Sequence, residues 1–500
     1  MTADLIQGLG YFFFTVYVIG LIFITIFCMM QFHLLLQYKT KNRKGDHIRG
    51  SDDFLPKVGI QLPIFNEQFV VERLIDNICK LDYPKDKLQI HILDDSTDET
   101  VTITAAKVAE YKAKGFDIEQ ITREDRSGFK AGALKAGMKF LDADYVAIFD
   151  ADFMPEPDFL KRTMPFFENK GVGVVQTRWG HINQDYSLLT ELQAFQLNVH
   201  FTVEQRGRYA GNYLLQFNGT AGIWRVKCIE EAGGWEADTL TEDLDLSYRA
   251  QLKGWEILFL EDVLAPAELP AEIHGLKSQQ FRWMKGGAET ARKMLPTVWK
   301  SDLSLVEKFH ATSHLMSSSV FLFVFLIGVF SVPMVFMLGE TNINLNYLTF
   351  FMIALLSIVV IYFVANVQTA WTQDSMLKKV LKFLFLFPIF LSLSMGLSLH
   401  NSIAVIQGYL GKKSAFIRTP KFNIVNLKDS FKKTSYRDTN ISFVTIMEGV
   451  LSIYFFLAVF FSIKLGVTGM VIYHLSLALG FGAIFILSIS HLQTQKAPKK

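Results

Sequence analysis

An apolar run from about Leu9 to Leu36 exceeds the roughly 20 residues that cross a bilayer and is too long for the core of a signal peptide. It predicts a retained membrane helix, and everything after it has to be arranged around that anchor. Lys39, Lys41, Arg43 and Lys44 follow directly, whereas Asp4 is the only charged side chain before it, so residues from 40 onward belong in the cytoplasm. Further apolar runs lie near 315–338, 347–368, 383–410, 444–464 and 468–490. The loop Gly339–Leu345 has no Lys or Arg and reads as outside, while Lys378, Lys379 and Lys382 read as inside. Residues 411–437 carry Lys412, Lys413, Arg418, Lys421, Lys428, Lys432, Lys433 and Arg437 and also belong inside, which forbids a single crossing by 383–410. Pro388, Gly396, His400, Asn401 and Gln407 interrupt that segment, so it reads as interfacial or re-entrant. About five spans result. The Lys-rich tail returns to the cytoplasm, and the ten residues after the last apolar run leave no room for a C-terminal regulatory domain. In a bacterium this would be an integral protein of the cytoplasmic (inner) membrane with its soluble part in the cytoplasm.

Half of the 500 residues are hydrophobic and mean hydropathy is +0.25, as expected of a chain shared between lipid and water. A net charge of +2 with no aromatic-interleaved basic stripe argues against a nucleic-acid partner. Cys28, Cys79 and Cys228 are isolated, with no zinc-site spacing or disulfide framework, and suit a reducing compartment. The sequons at Asn218 and Asn440 lie on the cytoplasmic side, and the His310/His314 pair lacks the acid of a metal motif.

Between the first two membrane segments, residues 52–300 have the texture of a soluble α/β domain. "KVGIQLPIFNE", "LQIHILDDSTDET", "DYVAIFDAD" and "GVGVVQTRW" read as buried strands alternating with capped helices, hence a mostly parallel sheet. Such sheets bind ligands at the carboxyl ends of their strands, where Asp94/Asp95 and Asp150/Asp152 fall. A D-x-D pair can hold a hard divalent cation that neutralises a diphosphate; taken alone, it is equally an acidic turn or helix cap. "RSGFKAGALKAGMKF" adds Arg126 and Lys130 to a Gly-rich helix start suited to an anion, without the P-loop pattern. Thr241-Glu242-Asp243 offers Asp243 as a general base, with capping as the local alternative. Gln279, Arg282 and Trp283 offer phosphate binding and sugar stacking, or a membrane-surface anchor.

In this order, Asp95, Asp150-x-Asp152, Thr241-Glu242-Asp243 and Gln279-x-x-Arg282-Trp283 followed by membrane helices resemble the processive family 2 glycosyltransferases of the cellulose synthase superfamily. "LDDSTDET", "GFKAGALKAGM", "HFTVEQ", "FNGTAGIWR" and "QQFRW" look like the plant cellulose synthase-like A and C branches, and the resemblance is dense over 55–295. It implies a nucleotide-sugar-binding, GT-A-like α/β domain over 52–300, an N-terminal transmembrane helix over 1–38 and an α-helical transmembrane and channel region over 312–500. Asp94, Asp95, Arg126, Lys130, Asp150, Gln279 and Arg282 would bind the donor. Asp150 and Asp152 would hold Mg²⁺ or Mn²⁺, and Asp243, within Thr241-Glu242-Asp243, would be the base. Trp283 with Phe217, Asn218, Gly219 and Thr220 would face the acceptor. "FIRTPK" is similar to the family's gating loop, so Phe416, Arg418, Thr419 and Lys421 would close over the donor, with Arg418 in the place of a Val.

The function so implied is inverting, processive elongation of a β-1,4-glucan from UDP-glucose, the growing polysaccharide being the acceptor and membrane lipid the surroundings. GDP-mannose with a mannan or glucomannan product is the close alternative; a non-processive lipid glycosyltransferase and a transporter with a nucleotide-binding domain are the others. An export partner subunit fits any polymer product.

Overall fold

The computed structural model describes residues 3–40, 49–337, 349–369, 374–414, 417–424, 429 and 441–492. Among the described residues, its soluble part is organised by seven strands, β1 (Val58–Ile64), β2 (Leu88–Asp94), β3 (Asp117–Thr122), β4 (Tyr145–Ile148), β5 (Val172–His181), β6 (Gly222–Arg225) and β7 (Glu256–Ala267). They form one sheet in the order β3-β2-β1-β4-β6-β5-β7. Of these, β1, β2 and β4 at the centre are apolar on both faces, the pattern of strands covered on each side. β1 pairs in parallel with both β2 and β4, so their ends, Ile64, Asp94 and Ile148, emerge on one rim where the chain reverses direction across the sheet. That is the switch point at which such sheets open a crevice for ligands.

β6 runs antiparallel to both neighbours, and Gly222 at its start pairs with Ile148 at the end of β4. The reversal brings residues 217–221 to the same rim as Asp150. Below the rim, the aromatic pairs Phe149–Phe159 (5.1 Å) and Trp224–Trp235 (5.7 Å) fill the core. Apolar burial on this scale is what holds so charged a rim in place.

Among the described residues, five helices are long and apolar enough to cross a membrane: Gln7–Thr40, Ser319–Met337, Thr349–Gln368, Phe443–Lys464 and Thr468–Ser490. Residues 383–410, expected to be broken at several points, instead belong to two helices, Met376–Gly396 and Ser398–Tyr409, bent by 49° at Leu397. Pro388 lies inside the first without ending it. At that bend the chain meets the last span: a Cβ at Gly480 would overlap the carbonyl oxygen of Ser392, and one at Gly396 would overlap that of Gly480. Small residues permit the backbones to touch, a recurrent means of packing helices in lipid. The loop Gly339–Leu345, the cations Lys41, Arg43 and Lys44, and the terminal lysines lie outside the described residues.

The Ile273–Lys300 helix joins the two halves. Its Lys277 Nζ lies 2.8 Å from Glu448 Oε2 on the Phe443–Lys464 span, both buried. Breaking a buried pair by removing one partner strands a charge, so this contact fixes where the helix sits. Gly480→Ala should separate the bent pair from the last span and lower the midpoint of thermal unfolding in detergent. An unchanged midpoint would contradict the close packing.

Candidate active site

The rim is lined by carboxylates, and Asp95, Asp150 and Asp152 are each answered by a cation from elsewhere in the chain. Asp150 Oδ1 lies 2.5 Å from Lys130 Nζ, which also donates to the Gly219 carbonyl at 2.9 Å. Asp152 Oδ2 lies 2.6 Å from Lys421 Nζ, far along the chain, and accepts from the Glu268 backbone N–H at 3.2 Å. Arg123 grips Asp95 through two hydrogen bonds, 2.9 and 2.5 Å, and Arg126 lies over the Phe65 ring. Alternation along β2 explains the one carboxylate that does not join them. Asp94, its last residue, turns inward, accepts from Ser96 N–H at 2.9 Å and Gln120 Nε2 at 2.7 Å, and stays outside the cavity lining.

Glu242 and Asp243 open the Glu242–Leu252 helix after Thr241, so both carboxylates enter the cavity from a helix N-terminus. Burial, and next the charge of Glu242, push the Asp243 carboxyl above its ordinary range, with Lys130 pulling the other way. Gly219 has φ +79° and a Cβ there would come 3.0 Å from Asp243 Oδ2, so glycine lets the 217–220 loop pass against that carboxylate. Gln279, Arg282 and Trp283 on the Ile273–Lys300 helix line the same cavity.

The loop after residue 416 lies across it. Arg282 donates to Thr419 Oγ1 at 2.8 Å, Arg418 pairs with Glu67 at 3.2 Å, and Phe422 N–H donates to Glu268 Oε1 at 2.9 Å. Burial pushes the Glu67 carboxyl up to about 8 against the pull of Arg418 and Lys421.

The cavity thus gathers Asp95, Arg126, Lys130, Asp150, Asp152, Asn218, Gly219, Thr241, Glu242, Asp243, Gln279, Arg282, Trp283, Arg418, Thr419 and Lys421. It does not gather every expected residue. Phe217 is fully buried and packs edge-on against Trp224 at 5.5 Å, a core role. Thr220 is buried beneath the rim, its hydroxyl accepting from Asp150 N–H at 2.9 Å. Phe416 lies outside the described residues. Glu67 and Glu268 line the cavity without having been singled out from the sequence, although Glu67 ends the quoted "LPIFNE".

Asp150 and Asp152 fit a hard divalent cation by their chemistry. Both are carboxylates at one rim, and each holds an ammonium group in the place where a cation's charge would serve. Another acidic trio, Glu236, Asp238 and Asp245, is already bridged by Lys293 Nζ at 2.6, 2.9 and 3.1 Å.

A crevice at the ends of the parallel strands, lined by carboxylates, cations and aromatic side chains beside long apolar helices, has the chemistry to hold an anionic ligand. A family model described as "Glycosyltransferase like family 2" matches residues 56–286. Glucomannan 4-beta-mannosyltransferase 2 of Arabidopsis thaliana is 45% identical over 264 residues, 52% of this chain and 49% of that protein. Probable glucomannan 4-beta-mannosyltransferase 11 of Arabidopsis thaliana is 39% identical over 307 residues, 59% of this chain and 68% of that protein. The chain spans about half the length of the first curated relatives it matches. Among solved structures, the mannosyltransferase PcManGT from Pyrobaculum calidifontis, in complex with GDP-Man and Mn²⁺, shares the fold, with TM-score 0.50 and 16% identity over 74% of this chain and 100% of that one. The chain belongs to the family 2 glycosyltransferases, and its curated relatives fit the cellulose synthase superfamily that its motifs resemble.

The Lys421–Asp152 contact should keep the loop shut. With Thr419→Cys as a reporter, adding Lys421→Ala should speed maleimide labelling about tenfold, since the buried pair is broken. Equal rates would contradict a closing role for that contact.

Proposed function

We propose that this chain is a membrane-embedded, inverting and processive β-hexosyltransferase that elongates a β-1,4-linked polysaccharide, with GDP-mannose as donor and mannan or glucomannan as product. The observation that carries the reading is the convergence of Asp150, Asp152, Asp243, Arg282 and Trp283 on one cavity beside the membrane helices. The motifs alone do not separate UDP-glucose from GDP-mannose. The activity that names the relatives, glucomannan 4-beta-mannosyltransferase, supports GDP-mannose over UDP-glucose, the first expectation.

In this reading Asp243 takes the proton from a hydroxyl of the acceptor's terminal sugar. That oxygen attacks the anomeric carbon from the side opposite the leaving diphosphate and inverts it. Lys130, Arg126 and Arg282 put positive charge where the diphosphate departs, held in place before the reaction begins. Mg²⁺ or Mn²⁺ bound by Asp150 and Asp152 would add electrostatic stabilisation of the leaving group. Trp283 supplies a face for the terminal sugar, and the loop through Thr419 and Lys421 covers the donor and excludes water. No second carboxylate is asked to flank the bond as a hydrolase would require.

The test is polymer formation. Inverted membrane vesicles containing the protein should convert labelled GDP-mannose, with Mg²⁺ or Mn²⁺, into material that a β-mannanase digests. Polymer from UDP-glucose alone would reverse the donor assignment, and a single-sugar lipid product would overturn processivity. Chelation should abolish turnover and either ion restore it; chelator-insensitive transfer would contradict the role of Asp150 and Asp152.

The pH dependence has a definite sign. Asp243 works deprotonated, and its pKa is raised, so kcat/KM should fall with acidification at a pH above the ordinary carboxylate range. Glu242→Gln removes a neighbouring negative charge and should move that acidic limb to lower pH. A limb that stays in place would contradict the coupling of the two carboxylates.

A further inference from the structure

In the 217–220 loop one buried polar atom has no partner, and its neighbours define which atom it is. Gln205 Nε2 donates to the backbone carbonyl of Gln216 at 3.0 Å, and a carbonyl only accepts, so the orientation of that amide is fixed. The same Nε2 lies 3.0 Å from the side chain of Asn218, so the atom of Asn218 facing it is the carbonyl oxygen Oδ1. Two more groups converge on this oxygen, Gln216 Nε2 and His200 Nε2, each at 3.0 Å. Gln216 is oriented in turn, because its Oε1 accepts from His314 Nε2 at 3.0 Å while the Tyr248 hydroxyl meets His314 Nδ1 at 2.9 Å. Three donors hold one acceptor. The Nδ2 amino group of Asn218, on a residue that lines the cavity, is left buried and without a hydrogen-bond partner.

The holding groups are themselves held. His200 Nδ1 lies 2.8 Å from Glu204 Oε2, so the ring is held between an oxygen on each side. His200, Glu204 and Gln205 come from a single π-helical turn, His200–Gln205. Its i to i+5 repeat brings His200 and Gln205 to the same side of the helix, where both reach Asn218, and such turns occur frequently at functional sites. The backbone of Asn218 is fixed too, its N–H donating to Gln176 Oε1 at 2.8 Å. Asn218 adjoins Gly219, the residue at which a Cβ would come 3.0 Å from Asp243 Oδ2, so the unpaired amide belongs to the residue next to the loop's contact with the carboxylate.

We infer that Asn218 Nδ2 is a specificity-determining donor to a hydroxyl oxygen of the acceptor sugar bound beside Asp243, and that His200, Gln205 and Gln216 are positioning residues that aim it. The inference deepens the transferase reading and rests on it. An amide whose oxygen is already saturated presents only N–H to a ligand, so it selects an oxygen with a free lone pair. A sugar lacking that hydroxyl leaves the buried donor unpaired, and sites built to bond a hydroxyl reject such analogues strongly.

The test measures acceptor and donor separately in the full-length protein, with a β-1,4-linked manno-oligosaccharide as the acceptor probe and GDP-mannose as donor. Asn218→Asp should raise acceptor KM about tenfold or more, because it replaces the donor by an acceptor. In His200→Leu, whose side chain does not line the cavity, GDP-mannose affinity and acceptor-independent donor hydrolysis should stay close to those of the native protein. His200→Leu should also raise acceptor KM, and His200→Gln, whose amide can still donate to Oδ1, should restore most of it. Unchanged acceptor KM in Asn218→Asp and His200→Leu would overturn the inference, as would a parallel loss of donor affinity, which marks a merely structural role. A native protein that binds no GDP-mannose and transfers no sugar would instead bring down the transferase reading on which the inference stands.

Discussion

Seven carboxylates, Glu67, Asp95, Asp150, Asp152, Glu242, Asp243 and Glu268, share one cavity, and their mutual repulsion is the constraint on which the rest of the structure depends. A charge taken out of water costs several kcal/mol unless it is paired. The pairs come from distant places: Lys130 from the helix after β3, Arg282 from the helix that meets the membrane, Arg418 and Lys421 from the loop beyond the bent helices. The negative charge of the rim therefore draws the membrane half of the chain down onto the soluble half.

The same logic ties the site to the bilayer. The helix that carries Gln279, Arg282 and Trp283 begins with Glu272 capping its first turn, and one turn later Lys277 is anchored to Glu448 within a span. Arg282 farther along donates to Thr419 Oγ1, and a Cβ at Gly275 in that first turn would come 3.5 Å from the Thr419 methyl group. On the opposite side, Gln31 of the first membrane helix bonds to Glu204, which holds His200, which holds Asn218. Short polar chains thus join the cavity lining to helices on both sides of it.

The sequence was most legible where chemistry and local pattern coincide. Apolar strands ending in acids predict a parallel sheet with a charged rim, and Asp95, Asp150, Asp152 and Asp243 do meet there. Asp94 is adjacent to Asp95 yet faces the other way, a consequence of the two-residue period of a strand that a motif alone does not resolve. Phe217 and Thr220 belong to the quoted "FNGT" but serve the core and the backbone of Asp150, because β6 runs antiparallel, which no local pattern announced. The charge count argued against a single crossing by 383–410 but did not announce the break at Leu397, since Pro388 is accommodated within a helix. The hydrogen bonds onto Asn218 join residues from three separate segments and leave no trace in spacing.

The central claim is that Asp243 removes the acceptor's proton in a cavity that binds the nucleotide sugar by other groups. Single-turnover transfer by Asp243→Asn, measured beside its affinity for GDP-mannose, tests it most directly. The account predicts transfer reduced by at least about a hundredfold, the scale of a lost general base, with donor affinity retained. Transfer at the native rate, or donor affinity lost together with transfer, would contradict it.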